Sequence, residues 1–202
     1  MITRGEMKRT RRASSFFKDC SFALFSLCAF FCLSACSDIE DNIYRGHRCY
    51  FVYDTTLHLT NHLTMAIGNT GHFLIVRDSM GSGIRHILTI RNFDQARDTT
   101  KLTTEKEKLA TCLLGANHAI IIGRSTYTGL LMAYEGQCSN CLSNYGGTNY
   151  PLTWSSNGQQ LNCARCKRSY DVNNGVVTAG EGGHQLYLYN AAFENGLIRA
   201  WN

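Results

Sequence analysis

Four cysteines late in the chain have the spacing of a soft-metal site. Cys138 and Cys141 form one C-x2-C pair, Cys163 and Cys166 form a second, and 21 residues separate the two pairs. A tight turn that holds two thiolates three positions apart can present both sulfurs to one ion, so two such turns supply the four ligands of a tetrahedral centre. The spacing therefore predicts that Cys138, Cys141, Cys163 and Cys166 bind a metal or a cluster.

The same four cysteines have a second interpretation that needs no metal. Outside the cytosol exposed thiols often oxidise, and four cysteines can form two disulfides. Disulfides within a C-x-x-C turn are uncommon as structural cross-links, and pairing between the two turns requires suitable Cα separations. Disulfides therefore stay open as the alternative to a metal.

The segments that must position these cysteines have the pattern of an antiparallel β-protein. Past residue 46, apolar residues mostly alternate, β-branched and aromatic residues are enriched, and Gly and Asn separate the runs. Thr104 and Glu107 have capping-box spacing ahead of residues 108–114 and predict one short helix there, of a turn or two. We predict an all-β sandwich or small barrel in which both cysteine pairs lie in loops at strand ends. The predicted strands cover residues 49–55, 72–77, 86–91, 119–124, 130–134, 160–164, 169–172, 186–191 and 197–201.

Residues 1–35 are predicted to be a lipoprotein signal peptide. Six of the 20 Lys and Arg side chains lie in this segment, and the apolar run that follows them, residues 22–33, is too short to cross a hydrocarbon core of about 30 Å. Leu33-Ser-Ala-Cys36 resembles the bacterial lipoprotein signal box, which implies cleavage before Cys36 and lipidation of that residue. Met7 begins a more typical signal than Met1, so either methionine is a candidate start.

Residues 36–46 are predicted to be a tether, and residues 47–202 the β domain. The acidic patch at 37–41 resembles the stretch that sends some bacterial lipoproteins to the outer cell surface; a solvated tether is the other interpretation. We expect a protein of the cell envelope that is held to the outer membrane by its lipid. Without residues 1–35 the formal charge falls from +5 to +1, so nucleic acid is not an expected partner.

Residues 163–171 read Cys-Ala-Arg-Cys-Lys-Arg-Ser-Tyr-Asp, so that an aromatic residue, Tyr170, and an acid, Asp171, follow the second cysteine pair. This stretch has the spacing of the second ligand box of the Rieske family of iron–sulfur proteins, which the C-terminal half of the chain resembles. The resemblance covers residues 117–202 well and 47–116 loosely. It implies a Rieske-like antiparallel β-sandwich or small barrel with a two-loop metal-binding subdomain at residues 136–172.

The ligand positions depart from that family. Asn140 stands where the first histidine ligand would be, Cys141 follows it, and Cys166 replaces the second histidine. An all-cysteine [2Fe–2S] centre should have a potential hundreds of millivolts below a Rieske centre, near about −400 mV. Four thiolates suit Zn²⁺ equally well, at Zn–S distances of about 2.3 Å and without redox chemistry. The cofactor is therefore either a [2Fe–2S] cluster or zinc.

Two functions follow from these alternatives. With a cluster, the resemblance implies one-electron transfer to an unknown protein partner; no catalytic constellation is identified, so an enzyme is not predicted. The alternative is a non-redox binding or structural lipoprotein of the envelope, whose cysteine loops are held by zinc or disulfides. Cys49 and Cys112 either form a disulfide or stay buried as small side chains. His184 is the histidine to test as a replacement ligand.

Overall fold

The structure, a computed structural model, describes residues 43–202; the predicted signal peptide and Cys36 lie outside this range. The described chain is built of antiparallel strands with three short α-helices, which confirms the predicted all-β class. The helices are α1 (His62–Ile67), α2 (Glu105–Leu109) and α3 (Ser139–Tyr145). The strands are β1 (Cys49–Asp54), β2 (Phe73–Gly81), β3 (Ile84–Arg91), β4 (Arg97–Leu102), β5 (Leu113–Leu114), β6 (Ala119–Arg124), β7 (Leu131–Glu135), β8 (Leu152–Trp154), β9 (Gln160–Cys163), β10 (Ser169–Asp171), β11 (Val177–Ala179), β12 (Leu188–Glu194) and β13 (Leu197–Trp201).

The larger sheet has nine strands in the order β4-β3-β2-β6-β7-β12-β13-β1-β5. Phe51 on β1 and Val76 on β2 share one hydrophobic core, although four strands separate β1 from β2 in that order. The sheet therefore curls so that both of its halves face the same interior. Helix α1 closes this core with Leu63, Ala66 and Ile67.

The smaller sheet has four strands in the order β11-β10-β9-β8 and packs on the outer face of the larger sheet. Phe73 and Ile75 of β2 and Ile121 of β6 point into this second core, while Leu74 and Ile120 point into the first. Successive side chains of a strand alternate between faces, so β2 and β6 are apolar at consecutive positions because both of their faces are buried. These two strands thereby join the metal-binding part of the chain to the main core.

The capping box at the start of α2 is present as predicted. The Thr104 side chain accepts from the Glu107 N–H and the Glu107 carboxylate accepts from the Thr104 N–H. The helix is short, as predicted, and ends at Leu109, and Leu113 and Leu114 form β5 and pair with β1. Helices α1 and α3 were not predicted, because six or seven residues show too little of a 3.6-residue period to be recognised.

The described chain begins in contact with the β domain. Ile43 forms a parallel bridge with Leu188, and the Tyr44 N–H donates to the Leu188 carbonyl at 2.7 Å. The Tyr44 ring stacks on Tyr187 with 4.0 Å between the ring centroids. Within residues 43–202, no helix has the length and apolar character needed to cross a bilayer.

Candidate metal centre

The first cysteine pair opens helix α3. Cys138 is the N-cap residue, Cys141 lies in the first turn, and the Leu142 N–H donates to the Cys138 carbonyl at 3.0 Å. The Cys138 N–H donates to the Tyr150 carbonyl at 2.9 Å, which fixes the start of the helix against the following chain. This pair therefore differs from the predicted loop at a strand end, since its residues open α3, the element that follows β7 in the chain.

The second pair lies at the β9–β10 hairpin, as predicted. Cys163 ends β9, its N–H donates to the Arg168 carbonyl at 2.9 Å, and its carbonyl accepts from the Lys167 N–H at 3.0 Å. Lys167 has a φ of +60°, in the left-handed region that tight turns need and that non-glycine residues rarely adopt. The turn points the side chains of Cys163 and Cys166 back toward α3.

The four sulfurs converge on one point. All four Sγ atoms lie within 4.8 Å of one another, with Cys138 Sγ 3.5 Å from Cys166 Sγ and Cys141 Sγ 3.6 Å from Cys163 Sγ. Cys138, Cys141 and Cys163 are buried and Cys166 is partly exposed. None of the six cysteines within residues 43–202 forms a disulfide. The quartet is therefore positioned to hold a metal.

The donor set and its spread fit a single tetrahedral ion. With Zn–S bonds of about 2.3 Å, the sulfur–sulfur edges of a tetrahedron measure about 3.8 Å. The two contacts of 3.5 and 3.6 Å are close to that length. In a [2Fe–2S] cluster each iron takes two of the four cysteines, so the cluster core separates the two pairs of sulfurs. The compact quartet favours one ion over a cluster.

Tyr170 and Asn140 form a hydrogen-bonded shell beside the sulfurs. The Asn140 Nδ2 group donates to the Tyr170 hydroxyl at 2.9 Å and to the His184 carbonyl at 2.7 Å. The hydroxyl oxygen lies 3.1 Å from Cys138 Sγ, so its own proton can point at the sulfur. Both side chains are buried. Sequence analysis placed these residues beside the cysteines but gave them no role, because a buried asparagine leaves no periodic signal.

Arg168 brings the positive charge to the site. Its guanidinium donates to the Glu181 and Gly182 carbonyls at 2.7 and 3.1 Å and forms an ion pair with the Glu181 carboxylate at 3.2 Å. Burial raises the pKa of the Cys166 thiol, but hydrogen bonds from the Arg168 side chain and N–H, with those of the neighbouring thiols, outweigh it and lower the pKa to about 6. Arg168 thereby favours a thiolate at Cys166.

Burial favours the protonated thiols of Cys138 and Cys141. Burial is the main cause that raises the pKa of Cys138 to about 11, and burial also raises the pKa of Cys141. Thiolates, and not thiols, bind soft metals, so an ion has to displace these protons. Metal affinity should therefore fall as the pH falls.

A glycine-rich strap, residues 180–184, covers this side of the site. The His184 N–H donates to Asn140 Oδ1 at 2.9 Å, and a Cβ at Gly183 would overlap that same oxygen. The close approach explains a glycine at this position. His184 reaches the site through its backbone N–H and carbonyl, and its ring is not part of the ligand group.

Cys49 and Cys112 lie in the first core and remain thiols in the structure. Cys49 of β1 pairs with Leu114 of β5, and Cys112 lies two residues before Leu114 in the sequence. Burial is the main cause that raises the pKa of Cys49 to about 12 and of Cys112 to about 11. Cys49 is buried and Cys112 is partly buried, and the choice between a disulfide and two small buried side chains stays a prediction.

Glu135 is a buried carboxylate that sequence analysis missed. Its oxygens accept from the Ala116 N–H at 2.8 Å, the Gln137 N–H at 3.2 Å and the Tyr189 hydroxyl at 2.7 Å. Burial is the main cause that raises its pKa to about 7, and the hydrogen bonds oppose that shift. Glu135 ends β7, the strand that leads into the first cysteine pair, so it fixes the entry to the site.

The comparisons with known proteins give little more. No family model matches the chain, and no curated protein matches it. Among solved structures, a ferredoxin of Sphingomonas yanoikuyae B1 is similar with 16% sequence identity and a TM-score of 0.28, over 42% of this chain and 74% of the ferredoxin. A likeness of this size establishes neither a common fold nor a common function, so the functional argument depends on the four cysteines.

Proposed function

We propose that this protein is an exported, lipid-anchored β-protein in which Cys138, Cys141, Cys163 and Cys166 hold one Zn²⁺ ion. The observation that carries the proposal is the convergence of four Sγ atoms within 4.8 Å of one another. Four thiolates complete the tetrahedral shell of zinc and leave no open position, which is typical of structural rather than catalytic zinc sites.

Zinc would join two parts of the chain that are distant in sequence. Two of its ligands begin α3 and two belong to the β9–β10 hairpin. A structural zinc adds its binding free energy to folding, because the unfolded chain does not hold the ligands together. In this function the protein is a non-redox binding or structural module of the envelope, and the metal keeps its surface loops in place.

A [2Fe–2S] cluster with one-electron transfer is the second candidate. The sequence resemblance of residues 117–202 to Rieske proteins favours it, and so does the contact between the Tyr170 hydroxyl and Cys138 Sγ, since hydrogen bonds to ligand sulfurs tune cluster potentials. With four thiolate ligands such a centre would operate near about −400 mV. Its partner would be a low-potential redox protein of the envelope.

Anaerobic purification followed by metal analysis and visible absorption separates the two candidates. One zinc per chain without colour supports the proposal. Iron and sulfide with charge-transfer bands between about 400 and 600 nm would instead identify the cluster. If the chain contains no metal and, once its thiols are reduced, takes up neither zinc nor a cluster, both metal proposals fail and the disulfide alternative holds.

Replacing Cys163 by Ser tests the ligand assignment. Loss of a direct ligand should weaken zinc binding by more than the about 10- to 100-fold typical of outer-shell changes, and should lower the melting temperature. Cys112→Ser is the matched control, because Cys112 lies outside the quartet. Unchanged zinc content in Cys163→Ser would refute the assignment.

The lipid anchor is part of the proposal and rests on the signal box that ends at Cys36. Several acyl chains on one residue would hold the protein stably on a membrane, since each buried methylene contributes about 0.8 kcal/mol. Cells that express the chain should incorporate an alkyne-labelled fatty acid into it, and Cys36→Ala should abolish that label. Equal labelling of the variant would exclude Cys36 as the acylated residue.

A further inference from the structure

The geometry points to a specific oxidation product of the quartet: two disulfides, Cys138–Cys166 and Cys141–Cys163, whose formation expels the metal. This inference rests on the proposed zinc function. It assigns the quartet a second, oxidised state in which the same four sulfurs hold the same two elements together without an ion.

The pairing follows from the sulfur contacts. Cys138 Sγ lies 3.5 Å from Cys166 Sγ and Cys141 Sγ lies 3.6 Å from Cys163 Sγ. Each contact joins helix α3 to the β9–β10 hairpin, so each disulfide would form between neighbouring sulfurs. A disulfide sulfur is a much weaker ligand than a thiolate, and a quartet without thiolates no longer binds Zn²⁺.

Cross-links between the two elements also preserve the fold better than cross-links within each C-x-x-C pair. The paired residues are 28 and 22 positions apart in sequence. Closing loops of this length restricts the unfolded chain far more than closing a turn of two intervening residues. The two disulfides therefore replace the ion as the cross-link between α3 and the β9–β10 hairpin. Disulfides within each C-x-x-C pair would leave these two elements without a cross-link.

Cys166 is where an oxidant can enter. It is the member of the quartet that is partly exposed, while the other three are buried. Its sulfur attacks the outer oxygen of a hydroperoxide, the O–O bond breaks, and Cys166 becomes a sulfenic acid. Cys138 then attacks that sulfur, forms the S–S bond and expels hydroxide.

The electrons balance for each bond. Two thiolates lose two electrons in all, and one hydroperoxide with two protons takes them up and leaves as an alcohol and water. Release of the ion opens the buried pair, and a second hydroperoxide oxidises Cys141 and Cys163 in the same way. Hydrogen peroxide, which gives two waters per disulfide, is the probe for the experiment.

The experiment uses the full-length chain, loaded with zinc and measured for metal content before any oxidant is added. Hydrogen peroxide is then added in the presence of a chromogenic zinc chelator, and samples are alkylated and digested without reduction. Trypsin cleaves after Arg165 and so separates Cys163 from Cys166. Fragmentation between Ser139 and Asn140 in the mass spectrometer assigns Cys138 and Cys141 to their partners.

The expected result is release of one zinc per chain in step with the loss of the four quartet thiols, and disulfides joining Cys138 to Cys166 and Cys141 to Cys163. Cys112→Ser, which removes any competing pair with Cys49, should give the same zinc release and the same linkages. Disulfides within the two C-x-x-C pairs would overturn the inference. So would zinc retention after the thiols are lost, or zinc release with sulfinic acids and no disulfides.

A second experiment, on the metal-free chain, tests the inferred pairing independently of the proposed function. The reduced, metal-free chain is oxidised in the same way and its linkages are mapped. If the chain never loads zinc, the proposed function fails before oxidation begins. The inferred pairing is then tested by the metal-free chain alone, and any linkage other than Cys138–Cys166 and Cys141–Cys163 rejects it.

Discussion

The hydroxyl oxygen of Tyr170 lies 3.1 Å from Cys138 Sγ, although the two residues are 32 positions apart in sequence. The same oxygen accepts a hydrogen bond from Asn140, which leaves the tyrosine proton free to point at the sulfur. Tyr170 belongs to β10 and Cys138 begins α3, so this bond joins the two elements that supply the ligands. Tyr170 is therefore expected to be a positioning residue for the candidate metal centre.

Tyr170→Phe should weaken zinc binding by about 10-fold, because a partner of a ligand sulfur is lost. The free energy of unfolding should also fall by about 1 to 2 kcal/mol, since the Asn140 amide loses a buried acceptor. Competition with a chelator of known affinity measures the first effect and urea denaturation the second. Tyr145→Phe is the control, as Tyr145 is exposed; equal zinc affinities in the two variants would remove Tyr170 from the site.

Arg168→Gln should lower zinc affinity by about 10-fold or more. A zinc ion with four thiolates carries two net negative charges, and the Arg168 side chain lowers the pKa of Cys166 and so favours its thiolate. The exposed Arg165 stacks on the Tyr145 ring at 5.1 Å and provides a control of the same charge. Arg165→Gln should bind zinc nearly as well as the wild type; if both variants lose affinity equally, the effect is long-range charge and not specific to Arg168.

Lys167→Gly should raise the free energy of unfolding by about 1 kcal/mol. A left-handed residue with a side chain costs about 1 to 2 kcal/mol, and the greater freedom of glycine in the unfolded chain cancels part of that gain. Lys167 is exposed and has a φ of +60°. Lys167→Ala removes the same charge but keeps the strain, so its stability in urea at saturating zinc should not increase. Equal gains in both variants would contradict a backbone origin.

Glu135 should make the fold less stable as the pH rises. Burial raises its pKa from 4.5 to about 7, so between these values the folded chain binds more protons than the unfolded chain. This contribution is fully present below about pH 4.5 and is lost as the pH rises through about 7. The contribution of Glu135 to the free energy of unfolding is about 3 kcal/mol at most, as calculated from the difference between its folded and unfolded pKa values.

Glu135→Gln cannot titrate, so the difference in unfolding free energy between wild type and variant should change with pH across this window. Denaturation at several pH values, with zinc at saturation throughout, measures that difference. Glu194→Gln, at an exposed position of β12, should run parallel to the wild type. A constant offset between wild type and Glu135→Gln from pH 5 to 8 would show that the carboxylate does not titrate there.

Local sequence signals predicted much of the fold. The exact bounds of β6 followed from its apolar run, and the capping box of α2 followed from the spacing of Thr104 and Glu107. Strand β4 was missed because Arg97–Leu102 is a largely polar edge strand without an apolar alternation. Strands β5, β8 and β11 have two or three residues each, and such short segments contain no measurable period.

The sequence by itself determined the identity of the four candidate ligands, because the C-x2-C spacing is a local property that does not depend on the fold. Only the tertiary structure decided that the sulfurs converge, since this depends on how α3 packs against the β9–β10 hairpin. The same holds for the bond from Tyr170 to Cys138 and for the burial of Glu135. Tyr170 and Cys138, and likewise Glu135 and its partners Ala116 and Tyr189, are far apart in the chain, and no short-range pattern encodes their contacts.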